Sequence, residues 1–498
     1  MMVDAQSLCG QTHPTQTSSS ISKTVRSLKC KIGALTVFES LKQQAILRVL
    51  YRISKEIDAD NVNCLRLVSF WSKFVSLVTN YTFLHKCVKP TLGVIFFDIV
   101  FDLTIHNENA WTLMCEKNEK NAMLDELASL DIKKLFDIAS LDICELSATI
   151  AQVLQQSAAK SSIEYDIIQN IIDEGKAFDI LKKDHINKKN FNINYVSAFI
   201  KQNGAGIFSD SPMFYYSPTR LSSCASHQCS RLQSPSNADT ITIKDLFGYE
   251  QQRQIIVSNT IAFLEGKSAN NILLYGDRGT GKSATVKAVC NEYADRGLRL
   301  IEVRKNQLKE ISSIVEMLKV RQSSANLAYG KCQYADTTNV DGKQLKFILF
   351  TDDLSFENEN GEFNMLKAYM EGGIEKQPAN IVFYATSNRR HLLKENGSDR
   401  PRSQSDVRAF DTMQEQLSLS DRFGVTVIFS TPSQDEYLNI ALFLARNNGI
   451  LKNDADAETI NQFKSNALRW EKWFNGRSPR TALQFATWAG SGLDFPWV

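Results

Sequence analysis

The chain has 498 residues, 43% of them hydrophobic, which is room for about two to four domains with cores of their own. With 57 Lys and Arg against 55 Asp and Glu, the net charge of +2 gives no global attraction to nucleic acid or an acidic membrane. Ten cysteines without a Cys-x-x-Cys pair, and six scattered histidines, exclude a zinc-ribbon type of protein and fit a reduced, cytoplasmic setting.

Residues 1–30 are polar and Ser/Thr-rich and read as a disordered tail without a secretory leader. Residues 31–205 read as a helical N-terminal domain. Leu41, Ala45, Leu47, Val49 and Leu50 fall on one helix face, as do Leu130, Ile132, Leu135 and Ile138. Leu141, Ile143, Leu146 and Ile150 continue the pattern, followed by Tyr165, Ile168, Ile171 and Ile172. The most apolar stretch, Leu65 to Leu103, is broken by Lys73, Lys86, Lys89, Pro90 and Asp98. Its uncharged runs fall short of the roughly 18 residues a membrane span needs, so buried helices are expected, with membrane association as the alternative. Lys182, Lys183, Lys188 and Lys189 form a basic patch without interleaved aromatic residues, which suits a solvated helix end better than a base-stacking surface.

Residues 206–238 are crowded with Ser and with Pro212, Pro218 and Pro235 and read as a linker. Cys224, His227 and Cys229 lie inside it, too few and too loosely set for a metal site. From Ile241 the pattern becomes α/β. Apolar strands are expected at Ile272–Tyr275, Leu298–Val303, Phe347–Phe350, Ile381–Ala385 and Val425–Phe429, with helices between them. A helix is expected near Phe363–Glu371. Near-continuous apolar strands alternating with helices predict a parallel sheet covered on both faces, over a core of residues 239–432. Residues 322–344 and 394–412 read as polar insertions. After Pro432, residues 433–498 are expected to form a small helical lid. Its helices are announced by the capping pair Ser433 and Glu436, by Ile460, Phe463, Ala467, Trp470 and Trp473, and by Ser478 followed by Pro479.

The chemistry is concentrated in Asn271-Ile-Leu-Leu-Tyr-Gly-Asp-Arg-Gly-Thr-Gly-Lys-Ser283, which contains G-x-x-x-x-G-K-[ST]. Gly276, Gly279 and Gly281 let backbone N–H groups turn inward around a phosphate, and Asp277, Arg278, Thr280 and Ala284 complete the cradle. Lys282 is expected to reach the β- and γ-phosphates, and Ser283 to place its hydroxyl on Mg²⁺. The helix that follows directs its positive end at the same anion.

The strand ending in Asp352-Asp353 suits a Walker B site, with Asp352 on Mg²⁺ directly or through water and Asp353 orienting or deprotonating a water. Asn388 at the next strand tip could help place that water. Arg422, in Leu419-Ser-Asp-Arg-Phe-Gly424, suits an arginine finger acting on a neighbouring subunit, against the plainer reading of a salt bridge with Asp421. Arg480, with Arg477 as its competitor, could reach a γ-phosphate from the lid.

This ordered set resembles the AAA+ ATPases. The strings Phe350-Thr-Asp-Asp-Leu-Ser-Phe356, Glu371-Gly-Gly373, Tyr384-Ala-Thr-Ser-Asn-Arg-Arg-His-Leu392 and Gly476-Arg-Ser-Pro-Arg-Thr-Ala482 are similar to a bacterial AAA+ family, domain of unknown function 815, over residues 239–498. The resemblance implies a P-loop αβα sandwich, ATP and Mg²⁺ as cofactors, and a nucleotide base near Phe247, Gly248 and Tyr249. The expected function is an ATPase that acts on a macromolecular partner, and the finger reading of Arg422 implies assembly with copies of itself. Asp353 departs from the glutamate usual in the superfamily, and its shorter side chain puts the hydrolysis rate in question. A slow ATP-dependent switch or loader near nucleic acid is the first alternative, and a P-loop kinase the second.

Overall fold

In the computed structural model, the described residues are 17–84, 92–158, 165–179, 191–217, 231–319, 321, 344–354, 366, 369–370, 377–388, 422–452, 454–474 and 476–497. They divide into two compact units. One takes residues up to 115 together with 119–201, and the other takes 116–118 and, from 202 on, the remainder apart from 225–227.

The first unit is helical, as the spacing predicted: α1 (Thr17–Gly33), α2 (Ala45–Ile57), α3 (Cys64–Leu84), α4 (Leu92–Ile105), α5 (Ala110–Glu116), α6 (Ala122–Ala139), α7 (Ile143–Ala158), α8 (Tyr165–Asp179) and most of α9 (Ile193–Asn203). Its core is built from Leu47, Leu50 and Ile53 of α2, Leu67, Trp71 and Phe74 of α3, and Leu146, Ile150 and Leu154 of α7, all nearly inaccessible. Asp131 is fully buried and accepts hydrogen bonds from the backbone N–H groups of Thr36, Val37 and Phe38, so the carboxylate stitches the α1–α2 connection to α6. The expected disordered tail gives way at Thr17, because residues 17–33 close into a helix whose Val25, Leu28 and Ile32 are buried. Two expected core positions face outward: Ala45 and Leu130, the latter 52% exposed at the edge of the α6 stripe. The apolar 65–103 stretch divides into α3 and α4, and no helix among the described residues is long and apolar enough to cross a membrane.

The second unit is built on a sheet of β1 (Met213–Tyr216), β2 (Leu232–Gln233), β3 (Ile272–Gly276), β4 (Leu298–Glu302), β5 (Lys346–Thr351), β6 (Ile381–Ser387) and β7 (Val425–Phe429). The order is β2-β1-β4-β5-β6-β3-β7, all parallel except β2. Alternate residues serve opposite faces. Ile272, Leu274, Ile348, Phe350, Val382 and Tyr384 pack with Ile256 and Phe263 of α10 (Glu250–Leu264) and Val286 and Val289 of α11 (Lys282–Glu292). Leu273, Phe347, Leu349, Ile381 and Phe383 pack with Ile311, Ile314 and Leu318 of α12 (Ile311–Lys319). Burial on both faces explains why these strands read as unbroken apolar runs; each large side chain contributes roughly 1.5–3 kcal/mol.

Part of the expected 206–238 linker belongs to this sheet. Met213–Tyr216 pairs with β4 (Phe214↔Ile301), and Leu232–Gln233 pairs back on it (Tyr216↔Leu232). A four-residue apolar run between Ser/Pro-rich flanks is too short to show a period, and the open edge of β4 supplies what local propensity does not.

The lid has α13 (Gln434–Asn447), α14 (Ala457–Trp473) and α15 (Pro479–Gly490). Ser433 and Glu436 form the expected capping box, and Ser478 caps α15 with Pro479 at its start. Tyr437, Ala441, Ala467 and Phe485 close the lid core, while Trp473, expected inside, is 62% exposed. Leu366, Tyr369 and Met370 are helical as expected, but most of the Phe363–Glu371 helix lies outside the described residues. So do the 394–412 insertion, the 322–344 insertion save Gln344, the basic patch at 182–189, and Cys224, His227 and Cys229.

Candidate functional site

β3 runs straight into the glycine-rich loop, and the sharp turn there has a steric basis. Gly276 has φ 137°, and a Cβ on it would lie 2.0 Å from the carbonyl oxygen of Phe429 on β7. Only a residue without a side chain fits between the two strands. Gly281 (φ 87°) starts α11 in a left-handed conformation, and a Cβ there would meet nothing within 4 Å, so the crown of the loop opens onto free space.

A cleft of about 660 Å³ lies over this crown. Arg278, Gly279, Thr280, Gly281, Lys282, Ser283 and Ala284 line it, with Asp352, Asp353, Asn388 and Arg480 on facing elements. The sequence separates these groups by up to two hundred residues, and the sheet brings them together because β5, β6 and β3 lie side by side in that order and run parallel, so their ends fall at one edge. Gly276 and Asp277 shape the loop from behind. The Asp277 carboxylate accepts from Thr431 N (2.8 Å) and Thr431 Oγ1 (2.6 Å), and these bonds hold it below the usual carboxylate range.

Lys282 is buried, and its ammonium donates to the carbonyl oxygens of Gly276 (3.0 Å) and Asp277 (2.6 Å). Burial pulls its pKa down, against the opposing pull of Asp277, Asp352 and Asp353. The side chain expected to reach phosphates is thus folded onto its own loop. Ser283 Oγ donates to Asp352 Oδ1 at 2.5 Å, so the two residues read as metal ligands meet across the gap between α11 and β5. Asp353 sits at φ 51°, a left-handed conformation that costs a non-glycine residue of order 1–3 kcal/mol and concentrates at functional sites. Its carboxylate accepts from Asn388 Nδ2 at 2.6 Å.

The two lid arginines part company. Arg480 lines the cleft and its backbone N–H donates to Gly279 O at 3.1 Å, whereas Arg477 is paired with Glu471 at 3.4 Å. Arg422 is not a lining residue. It lies just before β7, whose first residue pairs with Ile272, so it is at the opposite end of the strands from the loop, roughly 13 Å away along a five-residue strand. Its suggested partner Asp421 lies outside the described residues.

The other end of the cleft is apolar: Ile241, Leu246, Phe247, Ile440, Leu444 and Leu483 converge there from three segments. Phe247 stacks on Phe443 of α13, with ring centroids 4.8 Å apart. Tyr249 lines the wall, bonds through its hydroxyl to Ser430 O (2.7 Å), and is pushed up to about 12 by burial. Gly248, expected beside the base, is not a lining residue; its carbonyl instead takes the Arg253 guanidinium. Ile440 and Leu444 are hidden in the sequence because they also serve as ordinary amphipathic lid positions, whereas Leu483 lies off the buried face of α15, 47% exposed, and an apolar residue out of step with that face was the signal for it. Thr386 was missed because a threonine near a strand tip carries no pattern of its own.

A parallel sheet with the glycine loop on an inner strand, a polar tip on the neighbouring β6 and an acidic tip on β5 one strand further, and a helical lid after the last strand define the AAA+ class of nucleotide-binding fold. Within that class, the family model described as "Protein of unknown function (DUF815)" matches residues 220–327 and 336–492, more than half of the chain, and the chain belongs to this family. Among solved structures it is similar to a Thr-to-Val variant of RuvB from Thermotoga maritima, at 14% identity and a TM-score of 0.32, over 50% of this chain and 63% of that one. An Arg-to-Ala variant of the same protein matches at 13% identity and TM-score 0.31, over 49% and 63%. The chain thus spans less than two thirds of the length of these structures. Comparison with curated proteins gives no match.

Proposed function

We propose that the chain binds ATP with Mg²⁺ in this cleft and hydrolyses it, using the cycle to shift the lid and remodel a macromolecular partner. The observation that carries the reading is the 2.5 Å contact between Ser283 and Asp352 beside an open glycine crown. The residues fit the group: Gly281 leaves free space where a phosphate would rest, and one hydroxyl with one carboxylate suffices for a Mg²⁺ that shares its coordination with phosphates and water. Bound Mg²⁺ would supply charge neutralisation at the β- and γ-phosphates.

The chain's own groups divide the remaining work. Lys282, already partly desolvated, exchanges two loop carbonyls for phosphate oxygens. Asp353, held by Asn388, orients a water and accepts its proton. Arg480 brings a lid cation over the same end of the cleft. Arg422 lies a strand's length from the loop of its own chain, which favours action on a neighbouring subunit and so a homo-oligomer. A cytoplasmic setting follows the reduced-thiol reading of the sequence.

The second reading is a slow switch or loader that binds ATP and turns it over seldom. The Asn388–Asp353 bond favours it, since the short carboxylate is drawn to the strand tip rather than left free for water.

Magnesium-dependent ATP affinity and phosphate release test the proposal. Lys282→Ala is expected to lower affinity at least about 100-fold, in line with the loss of a charge-assisted phosphate contact. ATP affinity unchanged by Mg²⁺ or by that substitution overturns it. Turnover below about 0.01 per second with affinity intact selects the switch. Consumption of ATP without free phosphate selects a kinase.

A further inference from the structure

Thr386 is 2% exposed on β6, the strand that separates the loop-bearing β3 from β5. The register pairs Thr351 with Ala385 and Leu274 with Thr386, so Thr386 stands next to Asp352 on one side and to the root of the glycine loop on the other. Its hydroxyl donates to Asp352 Oδ1 (2.5 Å), and Thr386 Oγ1 in turn accepts from the backbone N–H of Asp353 (2.9 Å). The Thr386 carbonyl accepts Leu354 N at 2.7 Å. One residue therefore grips three consecutive residues beyond β5, the middle one in a left-handed conformation.

We infer that Thr386 is the positioning residue of the acidic strand tip, setting the Asp352 carboxylate for the metal and the Asp353 backbone for the water. The inference rests on the reading of the cleft as an ATP–Mg²⁺ site. Asp352 Oδ1 takes two hydroxyl protons in this structure, from Ser283 and from Thr386. Ser283 is the one expected to turn its oxygen to the metal, which leaves Thr386 as the fixed donor on that carboxylate. Ligand carboxylates are characteristically held this way, and removing such a holder typically lowers metal affinity or activity about 10–100-fold.

The test uses the full chain and two variants, Thr386→Val, which keeps the shape and removes the hydroxyl, and Thr386→Ser, which keeps the hydroxyl. Mn²⁺ affinity is read by electron paramagnetic resonance with a non-hydrolysable ATP analogue. Amide exchange of residues 351–354 is read in nucleotide-free protein. Thr386→Val should bind the analogue in EDTA within about twofold of the parent, lose about 10–100-fold in Mn²⁺ affinity, and expose the Asp353 amide to exchange at least about tenfold faster. Thr386→Ser should stay within about threefold of the parent on each measure. Should Thr386→Val fail to fold, Thr386→Ala takes its place with the same expectations. Parent-like Mn²⁺ affinity or exchange in the valine variant, or equal losses in the serine variant, overturns the inference alone. A parent protein whose analogue binding ignores metal overturns the ATP–Mg²⁺ reading, and this inference with it.

Discussion

The two ends of the cleft are built on opposite principles. At the loop end, every group is fixed by a hydrogen bond or by backbone geometry: Lys282 on two carbonyls, Asp277 on Thr431, Asp352 on Ser283 and Thr386, Asp353 on Asn388. At the other, Ile241, Leu246, Phe247, Ile440, Leu444 and Leu483 offer shape and apolar surface, with Asp245 and Arg253 also in the lining. Directional contacts demand one residue type at one place, whereas apolar contact accepts many. The loop end should therefore respond to substitution steeply, and the apolar end gradually.

The sharpest contrast is expected at Gly276. A Cβ placed 2.0 Å from a β7 carbonyl oxygen cannot be relieved by a rotamer change, and the φ of 137° is closed to other residues. Gly276→Ala should cost at least about 3 kcal/mol and lower the melting temperature by roughly 6–12 °C. A variant that melts with the parent would break the comparison at its strong end. Phe247→Ala should come next. Losing a stacked ring worth about 0.5–1.5 kcal/mol beyond its area should weaken nucleotide binding roughly 2–12-fold, and Phe247→Leu should recover most of it. Titration calorimetry reads both, and a loss in the leucine variant as large as that of Lys282→Ala would show the apolar end to be as exacting as the loop.

The smallest effect concerns pH. The folded-state pKa of Asp277 is lowered by its bonds from Thr431, so its contribution is present above the unfolded value near 3.9 and is lost as pH falls through the lower, folded value. Chemical denaturation of the parent and of Asp277→Asn should show stabilities that differ most at neutral pH and converge towards pH 3 and below. A constant gap would assign the Asp277 contribution to packing rather than charge.

The same division explains what was legible in the sequence. The loop could be read from Gly276, Gly281, Lys282 and Ser283 alone because backbone geometry dictates the two glycines and a directional side-chain contact dictates the other two. β4, β5 and β6 could be read because both their faces are buried, and the edge strand β7 because it is apolar and β-branched even though Thr426 and Ile428 face outward. Asp352, Asp353 and Asn388 could be read because each closes an apolar run. The apolar end was hidden, since Ile440 and Leu444 satisfy the lid's helical period whether or not they also touch a ligand, and Leu483, exposed off that period, stands alone in the sequence. β1 was hidden because its pairing depends on an edge presented by β4, 87 residues further along (Phe214↔Ile301), and β2 because it pairs only with β1. Ala45, Leu130 and Trp473 were misjudged because a helical period fixes the direction of a stripe and not its width.

The loop is fastened to the lid by two seams, Asp277 to Thr431 at the root of α13 and Gly279 to Arg480 at the start of α15. Any movement of the loop is therefore handed to the starts of α13 and α15 together, and α14 packs on both. The 17-residue α14 spans about 25 Å, so a lid tilt of some five degrees would displace one of its tips by about 2 Å relative to the other.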